Sequence, residues 1–268
     1  MRTLVHLSDL HFGHLDERII APLVHRITSL KPNLIAISGD LTQRARRSEF
    51  RQARAFLDLL PFPMVVVPGN HDVPLFNVAA RVLAPFSGYR RYIGVDLEPS
   101  RIDEEMAVVG LNSARALISG GRGRLNREQV DAAVTRLRPL PTTLIKVVVT
   151  HHPFDLPEGY AAEHLVGRAP MAMAQLAEVG ADLFLAGHLH VSHVGHTAER
   201  YNIAGHSALV VQAGTLSTRG RGELNTFNVL RIARPDMVVE RYSWETGTDT
   251  FTQSFAGKFR HTELGWMA

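Results

Sequence analysis

An α/β fold, with strands and helices in alternation, is predicted by three observations. Short β-branched and aliphatic runs recur through the first two-thirds of the chain, at Thr3–Leu7, Leu34–Ile37, Met64–Val67, Val147–Thr150 and Asp182–Ala186. Segments with apolar residues at helical spacing lie between several of them. Each run is followed within three residues by Asp, Asn or His. Apolar runs of this length, bounded by turn-formers, suit strands buried on both faces.

Thr3–Leu7 predicts the first strand. Asp16–Leu30 places Ile19, Ile20, Leu23, Val24 and Ile27 at helical spacing, and Pro32 discourages continuation. After strand 34–37, Ser48–Leu60 carries Phe50, Ala53, Phe56, Leu57 and Leu60 on one face, with Ser48 the expected N-cap. Strand 64–67 follows. Pro74 is expected to open a third helix to about Leu83, because the first turn tolerates a residue without an N–H. From Ser87 to Arg124 the pattern weakens. Met106–Leu111 still predicts a strand there, and Ser119–Arg124 a Gly-rich loop. Asn126–Arg138 predicts a helix capped by Asn126. Strand 144–150, a long loop after Pro153, a helix near 170–179 and strand 182–186 come next. Beyond His193, alternating segments at 208–213, 225–232, 237–244 and 249–255 predict β structure. Nothing resembles a linker. Residues 1–257 are therefore expected to form one domain, and 258–268 a loosely held tail.

Composition narrows the function classes. Hydrophobic residues make up 45% and charged residues 21% of the 268, as in soluble globular enzymes. No apolar run of membrane-spanning length occurs. The chain enters its first strand without a basic leader, so the cytoplasm is the expected compartment. The absence of cysteine excludes disulfides and thiolate ligands. A net charge of +3 does not demand a nucleic-acid partner, although it permits one. A homo-oligomer is compatible with all of this.

The residues after the strands carry the chemistry. They are Asp9 and His11, Asp40, Asn70 with His71 and Asp72, His151, and His188 with His190. In open α/β sheets the C-terminal strand edge is where ligands bind. Nitrogen and oxygen donors without sulfur suit Mn, Fe or Zn. Even without His71 and Asp72, seven such donors exceed what one ion with an open position needs. They suit two ions sharing a carboxylate, the usual device for in-line displacement at phosphorus. In an extended exit from a strand, Asp9 and His11 point the same way, as do His188 and His190. Gly39, Gly69 and Gly187 are expected to allow tight turns just before the ligands.

Asp9-Leu10-His11, Gly39-Asp40, Gly69-Asn70-His71-Asp72, His151 and Gly187-His188-Leu189-His190 together resemble the calcineurin-like metallophosphoesterases. The resemblance implies a four-layer αββα sandwich of two mixed β-sheets flanked by helices. It also implies two divalent metal ions and attack by a metal-bridging hydroxide on a small phosphoester. By that resemblance Asp9, His11, Asp40 and His190 hold one ion. Asp40, Asn70, His151 and His188 hold the other, with Asp40 bridging. His71 stabilises the phosphate or protonates the leaving oxygen, and Asp72 orients His71. His151-His152-Pro153 leaves open which imidazole is the ligand. The family pattern favours His151, which leaves His152 either supporting the ligands from behind or facing the substrate.

Arg115, Arg122 and Arg124, in or beside the Gly-rich loop, are placed to close over a substrate anion, and Arg124, His206 and Arg219 are the further substrate candidates. The segment Gly214–Arg219 with Asn225 resembles that of cyclic-nucleotide phosphodiesterases of this family. Gly39-Asp40-Leu41-Thr42 and the Gly-His-Leu-His pair are most similar to the small bacterial class III cyclic-nucleotide phosphodiesterases and glycerophosphodiesterases. A phosphodiesterase is therefore the expected activity. Its alternatives are a phosphomonoesterase or pyrophosphatase of the same fold, a nuclease on single-stranded ends, and a non-catalytic metal-dependent scaffold. His164 has no motif context and is expected at the surface or in the core.

Overall fold

A computed structural model describes residues 1–201, 203 and 207–268. The strands are β1 (Arg2–Leu7), β2 (Leu34–Ser38), β3 (Met64–Val67), β4 (Ser100–Ile102), β5 (Met106–Gly110), β6 (Ile145–Val149), β7 (Leu183–Ala186), β8 (His193–His196), β9 (Leu209–Gln212), β10 (Thr226–Ala233), β11 (Asp236–Glu245), β12 (Thr250–Thr262) and β13 (Gly265–Met267). The helices are α1 (Ile20–Leu30), α2 (Arg47–Asp58), α3 (Val78–Leu83), α4 (Ser87–Tyr92), α5 (Arg127–Leu137) and α6 (Ala169–Glu178). One sheet runs β13-β12-β11-β10-β1-β2-β3 and the other β4-β5-β6-β7-β9-β8. Both are mixed: β1, β2 and β3 are parallel while β10 is antiparallel to β1, and β5, β6, β7 and β9 are parallel between antiparallel β4 and β8.

Alternation along the buried strands builds the layers. Successive side chains point to opposite faces. Leu4, Leu34, Ala36 and Val65 therefore turn toward Val108, Val147, Val149, Leu185 and Val211 of the other sheet. Val5, Leu7, Ile35 and Ile37 turn outward onto Leu23 and Ile27 of α1 and Phe50 and Phe56 of α2. Val148, Phe184 and Val210 turn onto Val130 and Leu137 of α5 and Met173 and Leu176 of α6. The result is the four-layer αββα sandwich. Both faces of each inner strand are buried, which is why these strands read as unbroken apolar runs.

Several local expectations are corrected. The third helix begins at Val78, not Pro74, because the Asn77 side chain accepts the Ala80 N–H. The second begins at Arg47; Glu49, not Ser48, organises its start by accepting the N–H groups of Arg44 and Arg46. Helix α4 and strand β4 lie in the stretch where periodicity is weak. The expected loose tail is ordered instead. Residues 258–262 complete β12, and β13 pairs with it. Trp266 is fully buried and donates to Asp182 Oδ1 at 3.0 Å, beside the Arg234 guanidinium. A large indole buried with its N–H satisfied anchors a chain end that its polar neighbours made look loose. Among the described residues, no helix is long and apolar enough to cross a membrane.

Candidate metal centre

The ends of β1 and β2 lie side by side and continue as laced loops. Asp9 N–H donates to Gly39 O at 3.1 Å and His11 N–H to Asp40 O at 2.9 Å. The end of β7 meets the end of β6 similarly, through Gly187 N–H and His151 O at 3.1 Å. The exits are not extended. Asp9, His11, Asp40, His188 and His190 all have positive φ, between 44° and 72°. Such left-handed residues cost about 1–3 kcal/mol each and persist where neighbours over-determine them. Two glycines act by close approach rather than by a turn. A Cβ on Gly69 would collide with the Asp40 carboxylate, and one on Gly187 with Ser8 and Asp9.

Donor atoms converge between the two sheets. Asp9 Oδ1 lies 3.1 Å from His190 Nε2 and 3.5 Å from His11 Nε2, and the two imidazole nitrogens are 3.1 Å apart. Asp40 Oδ2 lies 3.6 Å from His11 Nε2 and 3.3 Å from His151 Nε2. Asn70 Oδ1 is 3.0 Å from His151 Nε2. The His188 ring packs 5.2 Å from that of His151.

These contacts test whether the donor set fits a cation. His151 donates through Nδ1 to Ser38 O, and His190 through Nδ1 to Arg219 O, at 2.8 and 2.9 Å. Carbonyl partners of this kind fix the tautomer and leave the Nε2 lone pair free for a metal. Asp9 Oδ1 is buried with no hydrogen-bond partner, while Oδ2 is held by Ser8 Oγ at 2.6 Å and His188 N–H at 3.0 Å. Lone pairs thus face one another at close range, and a cation between them satisfies them all. Asp9, His11 and His190 form one such group, and Asp9, Asp40 and His151 another.

The electrostatics follow from burial and proximity. Burial opposes ionisation of Asp9 and Asp40, yet the nearby charges of His190, His151 and His11 outweigh it, holding both carboxyls well below the usual range. Burial also opposes protonation of His151, but Asp40 wins and lifts it to about 9. His188 goes the other way, to about 3, through burial and the charge of His151.

The remaining candidates separate. His71 donates from Nδ1 to Gln43 O at 2.8 Å, and its Nε2 accepts from Arg219 Nη1 at 3.2 Å. Asp72 does not orient it, contrary to expectation. The Asp72 carboxylate instead accepts the N–H groups of Leu41, Thr42 and Gly69 and the Thr42 hydroxyl, at 2.9–3.2 Å, tying the second metal loop to the third. His152 is not substrate-facing. It is fully buried, with Nε2 on Gly121 O and Nδ1 on Ser113 Oγ, and so anchors the Gly-rich loop. His151 is the imidazole that meets Asp40. Arg219 lines the cleft, and Arg124 does not: it is exposed along a neighbouring groove with Glu163 and Pro170. His206 lies outside the described residues. Thr215 and Asn225 buttress the centre, with Thr215 Oγ1 donating to Asp9 O at 2.8 Å.

Sequence reasoning missed two cleft residues. His164 stands 6.0 Å from the His188 ring, and Arg81 lines the same wall beside Arg115, which its place next to the Gly-rich loop had already suggested. Neither of the two belongs to a motif. Arg81 lies inside the expected third helix and His164 in the long loop after Pro153, where neither carries a signal of its own.

The family model for calcineurin-like phosphoesterases matches residues 2–192. The chain belongs to that family. It is 31% identical over 80 residues to the glycerophosphodiester phosphodiesterase GpdQ of Enterobacter lignolyticus, across 26% of this chain and 29% of that relative. It is 27% identical over 173 residues to a probable glycerophosphodiester phosphodiesterase GpdQ of Arcobacter nitrofigilis, across 60% of this chain and 57% of that one. The matches thus span less than two-thirds of either relative. A dimetal phosphatase from Danio rerio has the same fold, with a TM-score of 0.68, 12% identity and coverage of 97% of this chain and 99% of that one.

Proposed function

We propose that the chain is a dinuclear metal-dependent phosphodiesterase acting on a small phosphodiester. The observation that carries this reading is the position of Asp40. A single carboxylate oxygen stands between His11 of one donor group and His151 of the other, at 3.6 and 3.3 Å. Asp9, His11, Asp40 and His190 hold one ion on this reading, and Asp40, Asn70, His151 and His188 the second. When bound, the ions supply Lewis-acid charge and an activated water at phosphorus.

The chain's own residues do the rest. Asp9 is kept ionised and aimed by Ser8 and by the His188 N–H. His71 is gripped at Nδ1 by the Gln43 carbonyl, so Nε2 is the atom that meets the leaving oxygen. Arg219, now against Nε2, turns to a non-reacting phosphate oxygen when a substrate arrives, since guanidinium pairs phosphate more strongly than it pairs an imidazole, and the freed Nε2 takes a proton from solvent before passing it to the leaving oxygen. The GpdQ relatives favour a diester, and a cleft of about 410 Å³ leaves room for its second ester group.

The test is a hydrolysis panel on manganese-loaded protein, with ions counted by elemental analysis. Two ions per chain and faster cleavage of an aryl diester than of the matching monoester are expected. One ion per chain with Asp40 dispensable overturns the dinuclear reading. A monoester preference of about tenfold or more overturns the diesterase reading alone.

A further inference from the structure

The wall of the cleft carries more positive charge than the proposed reaction needs. Arg44, Arg81, Arg115, Arg219, Arg221 and His164 line it, and Asp40 is the one acidic residue among its described lining residues. Among the described residues, no carboxylate lies within 4.0 Å of these five guanidiniums. Elsewhere arginines do pair with carboxylates, as Arg54 does with Asp58 and Arg200 with Asp155.

Two of the five are half-buried and built in. Arg81 donates from Nε to Ala116 O at 2.6 Å and from Nη1 to Pro74 O at 3.1 Å. Arg115 donates from Nη1 to Asn112 O and Ala114 O at 2.9 and 2.7 Å, and from Nη2 to Gln129 Oε1. Its Nε is buried without an acceptor, and Glu98 reaches it only through Gln129. Both guanidiniums are therefore held against the segment 112–116 by neutral oxygens. Such anchors fix position without cancelling charge. A guanidinium has five N–H donors, and Arg81 spends two. Positive charge fixed on one wall of a cavity without a counter-ion is unfavourable in the free protein, and an arriving anion reverses that cost.

We propose that Arg81 and Arg115 form a second anion site beside the metal centre, so that the preferred substrate is a small phosphodiester bearing a further phosphate group. The proposal rests on the diesterase reading above. At the metals, two divalent ions bring four positive charges. Asp9 and Asp40 cancel two, and a diester monoanion with an anionic nucleophile cancels the others. Arg219 is committed to His71 and the reacting phosphate. Arg81 and Arg115 are left for an anion elsewhere on the substrate. A phosphomonoester, nearly dianionic at neutral pH, matches the planar guanidinium fork. The cavity of about 410 Å³ is the size of a small-molecule site.

The test compares thymidine 5′-(4-nitrophenyl phosphate) with the same ester carrying a 3′-phosphate. On metal-loaded protein the added phosphate is expected to lower KM about tenfold or more. Arg81→Gln and Arg115→Gln should each remove most of that advantage, and Arg81→Lys should restore part of it. Steering of anions in general would instead favour both esters and fade with salt. Calorimetry on metal-free protein supplies a second readout. Thymidine 3′,5′-bisphosphate should bind about tenfold tighter than the 5′-monophosphate, and Arg81→Gln should abolish the difference. Equal KM values with equal metal-free affinities, or an advantage that survives both glutamine variants, overturn the proposal. If neither ester is cleaved, the diesterase reading fails, and the metal-free affinities still decide the anion site. A short single-stranded oligonucleotide with a KM far below that of the phosphorylated ester overturns the small-molecule class.

Discussion

On the floor of the cleft every donor leaves a strand end, most are buried, and several are tied to a loop of the opposite sheet. Asp9 beyond β1 holds the His188 N–H beyond β7, and His151 beyond β6 holds Ser38 O at the end of β2. On the rim, arginines from separate loops reach the same cavity, anchored by carbonyl oxygens or standing in solvent. The floor has one arrangement because Asp40, His151 and His190 each meet two or more partners across it. The rim has room to vary, since changing one arginine disturbs few other contacts. On the proposed reading, the difference assigns reaction type and substrate choice to separate parts of the molecule. Each can be broken without the other.

The largest effect should come from the floor. Asp40→Ala is expected to lose both ions and to lower kcat by 10³-fold or more, on the order of removing a central electrostatic group. Elemental analysis beside circular dichroism checks that the fold survives the loss. Retention of both ions by this variant would erase the distinction between bridging floor and variable rim.

His71→Ala should keep both ions and lower kcat by roughly 10²–10⁴-fold, the usual scale of acid–base help. The loss should shrink for an aryl leaving group, which needs little protonation. An equal loss across leaving groups would move His71 from proton donor to electrostatic stabiliser.

Asp72→Ala sharpens the comparison in another way. It leaves the N–H groups of Leu41, Thr42 and Gly69 without their carboxylate. A stability loss of roughly 2 kcal/mol or more is expected, together with weaker metal binding. Denaturant melts and metal titration report both. A loss of kcat with unchanged stability would revive the role of Asp72 as an orienter of His71.

Acid should act on the floor through His6. This residue is fully buried on β1, with Nε2 against Ser38 Oγ at 2.9 Å, and burial lowers its pKa to about 3 even though Asp9 pulls it upward. Between the unfolded value of 6.5 and about 3 the unfolded chain binds one more proton at this site. Stability is therefore present above pH 6.5 and is lost as the pH falls, by about 1.4 kcal/mol per unit from this group. Denaturant melts of the metal-free protein from pH 7 to 4 measure it. Asp72, raised to about 6 by burial and the Asp40 charge, contributes with the opposite sign, so the difference from a His6→Gln variant is the measure, and an unchanged pH slope in that variant would mean that His6 is hydrated.

The smallest effects belong to the rim. Arg219→Ala should change KM by about tenfold with both ions retained. Arg124→Ala, at an exposed residue of a neighbouring groove, should stay within about twofold. A reversed ranking would put the substrate on the other side of the Gly-rich loop.

The inner strands and the donors at their ends were readable from residue type alone. Unbroken Val, Ile and Leu runs have few other uses, and His, Asp and Asn placed directly after them are held by local chain geometry. The same locality explains what was misread. Asp72 seemed bound to serve its neighbour His71, but its partners Leu41 and Thr42 lie thirty or so residues away. His152 adjoins a donor in sequence and yet turns to Ser113 and Gly121.

What the sequence by itself determined is thus the layered α/β fold, the strand-end donor set and the family. What only the tertiary structure decided is which donors meet and what surrounds them: the left-handed exits of Asp9, His11 and His190, Asp40 standing between His11 and His151, the ordered end at Trp266, and the wall formed by Arg81 and Arg115. The physical reason is distance along the chain. A strand's apolar run is a local property, whereas His11 meets His190 across 179 residues, and such contacts depend on packing that no local pattern encodes.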